Sequence, residues 1–305
     1  MGGGLIQLVT YGAEDIYLTG NPQITLFKSV YRRHTNFSME AIEIPIDSIK
    51  PSGHNAITIL KNGDLMSKTY LRVGVPDLIP TNVGSDKFNG SIAWVRRLGH
   101  AMISSVKITL GGNQIDKHWG VWLDIWYELT HTIDQSAGYN HMIGDIPELT
   151  TLTPVLTSGG LLANGYNLFI PFQFWFCANY GLALPLIGLQ YQDIKIVIDF
   201  TPLEYLVIYT FGTGSASNPT FSKDFTYGNS GLLINYIYLD IEERKRFAKV
   251  GHEYLIEQVQ YNPFKLNPSS TGQTLNLDFD YPCKEVIWTH QLGMFNGIRP
   301  QIYLG

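Results

Sequence analysis

The sequence predicts an all-β chain, built as an antiparallel jelly-roll sandwich with one short helix and long loops. Short runs of alternating polar and apolar residues recur from residue 39 to residue 241, and turn-forming residues separate them. About eight such runs can be counted, the number that the two sheets of a jelly roll need. Only 15% of the residues are charged while 45% are hydrophobic. Such a chain is expected to bury part of its surface against neighbours.

The first strands follow one another closely. Met39–Ile46 alternates polar and apolar residues, and Ala56–Leu60 and Tyr70–Val75 form two further β-rich runs. The pair Asn62-Gly63 between the last two supplies the positive φ angles of a tight turn. We therefore predict that this part of the chain forms a meander.

A hairpin and a helix come next. Ser104–Leu110 alternates regularly, and Gly111–Asn113 turns it into Gln114–Lys117. From Trp119 to Leu129, aromatic and aliphatic residues recur near helical spacing, which predicts one amphipathic helix. Its aromatic face is expected to cover a sheet edge or a neighbouring molecule.

The remaining strands of the sandwich are predicted at Phe169–Phe176, Asp193–Phe200 and Leu232–Ile241. In the first of these, Ile170, Phe172, Phe174 and Phe176 would share one side. The apolar stretch from 166 to 191 is interrupted by prolines and polar residues, so we interpret it as buried strand plus loop instead of a membrane span. Residues 212–219 are small and polar and predict a surface loop.

The domain division that follows is an arm at 1–38, a first jelly roll at 39–250 and a second region at 251–305. In that region, the runs at 251–259, 274–279 and 285–288 leave room for two or three strands. A complete second sandwich would need about 100 more residues. The sequence therefore predicts the start of a second, incomplete jelly roll.

The charge pattern and the motifs exclude several functions. A net charge of -5 with no large basic cluster argues against coating nucleic acid, and the basic run at 243–246 is predicted to be a solvated strand end. His252-Glu253 is half of a zinc-binding HExxH motif, but Ile256 replaces the second histidine. Phosphate loops and nucleophile elbows are also missing, and Cys177 and Cys283 are isolated. We predict that the chain is not an enzyme and has no catalytic, cofactor-binding or metal-binding residues.

Two asparagines match the acceptor pattern for N-glycosylation. They are Asn36, followed by Phe37-Ser38, and Asn89, followed by Gly90-Ser91. A three-residue pattern arises often by chance, so both are candidates only where a glycosylation system acts on this chain.

Several stretches, taken together, resemble one family, the double jelly-roll major capsid proteins of nucleocytoplasmic large DNA viruses. The stretches are Gly3–Thr25, Phe27–Phe37, Gly111–His118, Gly181–Tyr191, Glu242–Ala248 and His252–Gln258. The resemblance implies two tandem jelly rolls per chain. It also implies homotrimeric capsomers with a six-sided outline, tiling an icosahedral shell over an internal membrane.

The resemblance also implies partners and a location. The arm would lie under the capsomer and touch its neighbours through Tyr11, Tyr17, Phe27, Tyr31, Arg32 and Arg33. Loop tips at 137–157 and 210–228 would face outward or contact other capsomers. Partners would be other copies of the chain and minor capsid proteins, without direct contact to nucleic acid. The protein would be assembled in the host cytoplasm and reside in the virion shell.

Three alternatives stay open on the sequence. Family members are longer, so another chain or segment is expected to complete the second jelly roll. A shortened minor capsid protein fits the same pattern. A carbohydrate-binding jelly roll is the third alternative, since that sandwich also hosts lectins.

Overall fold

The computed structural model describes residues 35–84, 87–155, 166–213, 217–264 and 272–289. Strands account for most of the regular structure, and their order along the chain sets the topology. The strands are β1 (Phe37–Ile46), β2 (His54–Thr58), β3 (Leu65–Val75), β4 (Ser91–Trp94), β5 (Ile103–Leu110), β6 (Asn113–Trp119), β7 (Thr153–Pro154), β8 (Tyr166–Pro171), β9 (Leu184–Pro185), β10 (Ile194–Phe200), β11 (Val207–Thr210) and β12 (Gly228–Leu239). The helices are α1 (Leu98–Ala101), α2 (Gly120–Thr130), α3 (Ile133–Ile143), α4 (Pro147–Thr150), α5 (Trp175–Ala178) and α6 (Ile241–Lys249).

Eight of these strands, together with the two-residue strand β9, form the two sheets of a sandwich. The first sheet has the order β1-β12-β3-β8, with β9 added to β3, and the second has the order β2-β10-β5-β6. All strand pairs in them are antiparallel. This arrangement of eight strands is a jelly roll, which confirms the predicted fold class.

The predicted meander is wrong, because β1, β2 and β3 do not pair with one another. β1 and β3 both pair with β12, while β2 lies in the opposite sheet beside β10. The Asn-Gly signal has a different cause from a hairpin turn. A Cβ at Gly63 would lie 2.8 Å from the Cβ of Tyr236 in β12, so glycine is needed there for close packing.

The predicted hairpin is confirmed. Leu110 in β5 faces Asn113 in β6, and the two glycines between them have φ angles of 56° and 89°. Positive φ at both central residues is what a two-residue type I′ turn requires.

The sandwich core lies between the two sheets. Leu71 and Val73 of β3, Leu232 of β12 and Ile196 and Ile198 of β10 are all fully buried. Alternation explains this, because every second side chain of a strand points to the same face.

The predicted strand at 169–176 ends early. β8 stops at Pro171, which has no N–H to continue the ladder, and the chain turns into α5. Phe172, Phe174 and Phe176 are buried as expected, but they do not lie along one strand. None of the helices in the described ranges is both long and apolar enough to cross a membrane.

The single predicted helix is confirmed as α2, but one helix is too few. Residues 137–157, predicted as a loop, contain most of α3 and all of α4. The sequence of α3 has weak helical periodicity, so its helix depends on tertiary contacts with α1 and α2. α6 replaces the predicted strand end at 243–246, with Glu242 and Glu243 in its first turn and Lys249 in its last.

The region after α6 carries no assigned strand within 251–264 and 272–289. The strands predicted there are therefore absent from the described residues. A strand exists only through its hydrogen-bonded partner. The hydrogen bonds of Gln258 and Val259 run instead to Ile115 and Asp116 of the first sandwich.

Candidate assembly surface

Helix α2 is positioned by a charged cluster on its inner flank. Arg97, just before α1, has φ 52° and ψ 48°, the left-handed conformation that costs about 1 kcal/mol for a non-glycine residue. Its guanidinium forms ion pairs with Asp124, at 2.8 Å, and with Glu128, both on α2. The same guanidinium lies 5.1 Å from the centre of the Tyr127 ring.

Electrostatics hold this cluster in its charged form. Burial opposes the charge on Arg97, but hydrogen bonds to Asp124 and Glu128 outweigh it and raise its pKa. Burial alone would raise the pKa of Asp124. Hydrogen bonds from His100 and Arg97 outweigh this as well and lower that pKa. The ion pairs that hold α2 therefore persist over a wide pH range.

One arrangement in the cluster resembles a catalytic relay. The ring of His100 lies between Asp124, whose Oδ1 is 3.4 Å from Nδ1, and Tyr139, whose hydroxyl is 2.9 Å from Nε2. A hydroxyl at the end of such a relay acts as a nucleophile only when the neighbouring base can take its proton. Burial instead raises the pKa of the Tyr139 hydroxyl far above its usual value. The geometry fits a structural link between α1, α2 and α3.

Metal ligation finds no support either. Across the described ranges, no group of three or more His, Cys, Asp or Glu side chains is arranged to hold a metal ion. Both cysteines are free, and burial raises the pKa of the Cys177 thiol to about 12. Such a thiol is unreactive.

The outer side of α2 carries an apolar stripe. With 100° between successive residues, Val121, Ile125 and Leu129 lie opposite the buried Leu123 and Tyr127. The two tryptophans of α2 lie beside this stripe; both are partly buried, and Trp122 packs against the core. Val121 is 52% exposed and Leu129 is 61% exposed. The rings of Trp122 and Trp126 stack with their centres 5.5 Å apart.

α2 has a second apolar stripe opposite its buried side. A surface helix buries its apolar stripe and exposes its charges. Here the two acidic residues, Asp124 and Glu128, pair with Arg97 on one flank. Ile133, at the start of α3, is 88% exposed. Exposed apolar side chains that lie together are typical of protein interfaces, so the surface formed by Val121, Ile125 and Leu129, the α2 face, is the candidate site of assembly.

The arm residues and the two candidate glycosylation sites predicted from the sequence differ in how far the structure describes them. The arm residues Tyr11, Tyr17, Phe27, Tyr31, Arg32 and Arg33 lie outside the described residues, so their role stays a prediction. Asn36 is exposed, whereas the side-chain amide of Asn89 donates a hydrogen bond to the carbonyl of Thr213 at 2.8 Å. Modification of Asn89 would require that bond to break.

The aromatic spacing of α2 was visible in the sequence, but the division of the helix into a buried and an exposed side was not. Leu123 and Tyr127 are buried towards the sandwich, the two tryptophans are partly buried, and Val121 and Leu129 are exposed. The spacing of Asp124 and Glu128, four residues apart, was the signal that a charged flank exists. Their partner Arg97 lies too far away in sequence to be recognised.

A jelly roll with an exposed apolar stripe on one helix is expected of a subunit that packs against others. Comparison with known proteins identifies the family. The sequence model of the major capsid protein N-terminus matches residues 25–240. The chain is 40% identical to capsid protein 1 of Acanthamoeba polyphaga mimivirus, over 99% of this chain and 51% of the relative. It is 43% identical to the major capsid protein of Pyramimonas orientalis virus, over 95% of this chain and 66% of the relative.

The structural comparison agrees. A quasi-atomic model of the PBCV-1 virus capsid superposes with a TM-score of 0.57 at 27% identity, covering 77% of this chain and 50% of that one. The chain belongs to the major capsid protein family. It spans between about half and two thirds of the length of these relatives. These relatives are structural proteins, which confirms the prediction that the chain is not an enzyme.

Proposed function

We propose that this chain is the first jelly-roll unit of a capsid subunit, which associates with other copies to form the shell of a large DNA virus. Family membership supports the shell role, and the α2 face is the observation that supports self-association. A helix with three apolar side chains on its outer side would lose water-exposed apolar area on contact with a partner.

The proposed assembly is a homotrimeric capsomer with a six-sided outline, packed against other capsomers in an icosahedral shell. Single α2 faces are small. A stable interface buries about 800 Å² on each partner, and an 11-residue helix is only about 16 Å long. Each α2 contact would therefore be one of several within a closed ring of subunits.

The remaining parts of the proposal concern position in the virion. The arm at residues 1–38 would contact neighbouring capsomers, and a second jelly roll would begin after residue 250. Minor capsid proteins and an internal membrane would lie nearby, and assembly would occur in the host cytoplasm. The net charge of -5 supports a shell that does not bind the genome directly. Asn36 is the better placed candidate for glycosylation, because its side chain is exposed.

The experiment that tests this role starts from virions that carry the gene. Their shells are separated from the genome and from detergent-extracted membrane, and the shell proteins are quantified by mass spectrometry. Peptides of this chain should be abundant in the shell fraction. Their absence from it would overturn the proposed function.

A further inference from the structure

Strand β6 forms one end of the second sheet, and among the described residues it pairs with β5 alone. An edge strand leaves a row of N–H and C=O groups that a strand from another chain can pair with, which favours aggregation. Three features of the chain meet at the centre of this edge.

The first feature is a β-bulge at Ile115. Thr109 of β5 faces Gln114, and the preceding residue of β5, Ile108, faces Asp116. Ile115 is therefore the extra residue in β6. A bulge leaves its extra residue out of the ladder and bends the strand. Bulges of this kind make an edge a poor template for another strand.

The second feature is a buried polar pair on the core side of β6. Asp116 and His118 share one face of the strand, and their side chains are only 1% and 2% exposed. Their Oδ2 and Nε2 atoms lie 3.0 Å apart, and the His118 ring stacks on Phe174 with the ring centres 4.7 Å apart. A charged residue that points inward on an edge strand opposes extension of the sheet.

The third feature is the segment 256–261, which lies along the edge. The side-chain amide of Gln258 donates to the carbonyl of Ile115, and the backbone N–H of Val259 donates to Oδ1 of Asp116 at 3.2 Å. The ring of Tyr261 contacts the ring of Trp119, with centres 5.0 Å apart. These contacts advance in the same direction on both segments, so 256–261 runs parallel to β6.

In each of the two hydrogen bonds between the segment and β6, one of the two groups belongs to a side chain, so neither is a backbone-to-backbone bond of a β-ladder. The segment therefore covers β6 without becoming a further strand of the sheet, and it presents no regular ladder of its own to a new chain. Ile256 packs against the sandwich core at the start of the segment and anchors it there.

We propose that residues 256–261 act as a guard on the β6 edge, latched by Asp116, which prevents this edge from pairing with a strand of another copy. The guard is separate from the α2 face, and the proposal does not depend on the proposed function. Asp116 is a positioning residue: its carboxylate accepts the one backbone N–H that fixes the segment over the bulge.

The test uses the full 305-residue chain and the variant Val259→Pro, which removes the donated N–H without changing the sandwich. Hydrogen exchange followed by mass spectrometry should show amides in 256–261 and 115–119 exchanging about tenfold faster. Exchange in β3 and β12 should stay as in the unmodified chain. Strand-pairing aggregation, followed by thioflavin T fluorescence, should increase.

Two further variants make the result specific. Val286→Pro places the same residue type at an exposed position after the guard and should change neither measurement. Asp116→Asn keeps an oxygen acceptor for Val259 and should retain the protection that Asp116→Ala loses. Unchanged exchange in 256–261 of Val259→Pro would overturn the latch. Faster exchange there without increased aggregation would overturn the guard.

Discussion

At the scale of single residues, Arg97 joins the sandwich to helix α2. Its backbone is in an unfavourable conformation, and its side chain is only 19% exposed. The ion pairs with Asp124 and Glu128 therefore have to offset both strain and desolvation. The cluster gives α2 a fixed orientation, which in turn fixes the direction of the apolar side chains on its outer side.

Replacing Arg97 by alanine should lower the free energy of unfolding by about 1–2 kcal/mol, since Asp124 and Glu128 are partly exposed and water would solvate them in part. Urea denaturation followed by tryptophan fluorescence measures this. Lys245→Ala removes an exposed pair with Glu242 on α6 and should cost close to nothing. Equal stability of the two variants would contradict the role assigned to Arg97.

At the scale of secondary-structure elements, the β5–β6 hairpin was predictable from its sequence as two strands around a glycine turn. Alternation on both sides of two glycines specifies the strands and the turn. The register shift at Ile115 was not predicted. The pairing partners of the other strands could not be predicted in the same way. A strand such as β2 has the same local pattern whether it pairs with β3 or with β10, and only the packed sandwich decides.

The turn allows a direct measurement of conformational cost. Nothing lies within 4 Å of a Cβ added at Gly112, but φ there is 89°. Gly112→Ala should therefore destabilise the chain by about 1 kcal/mol through backbone strain alone. Gly228→Ala meets equally open space without a positive φ and should be close to neutral. Thermal unfolding of both variants tests this, and a neutral Gly112→Ala would contradict the type I′ assignment.

Helices α3 and α6 show two different reasons why helices are missed. α3 has weak periodicity and is stabilised by Tyr139 and Asn140, which bind residues of α1 and α2. α6 is charged and buries no residue, so the hydrophobic pattern cannot find it. Its capping residue Asp240 and its acidic first turn were the available signals.

At the scale of the whole molecule, the sequence was sufficient for the fold class, and the family resemblance is confirmed. The candidate site was only partly predictable. The aromatic residues of α2 could be seen in the sequence, but the partner that turns the charged flank inward, Arg97, is set by tertiary structure. The order of the eight strands likewise depends on contacts between residues far apart in the chain.

The central claim is that the chain is a self-associating shell subunit whose α2 face contacts other copies. Sedimentation velocity over a range of concentrations tests it most directly, with the double variant Ile125→Glu and Leu129→Glu compared to the unmodified chain. Ile241→Glu, an exposed apolar position on α6, serves as the control. The unmodified chain and the control should associate, and the double variant should associate at least about tenfold more weakly. Association of the folded double variant equal to that of the unmodified chain would contradict the claim.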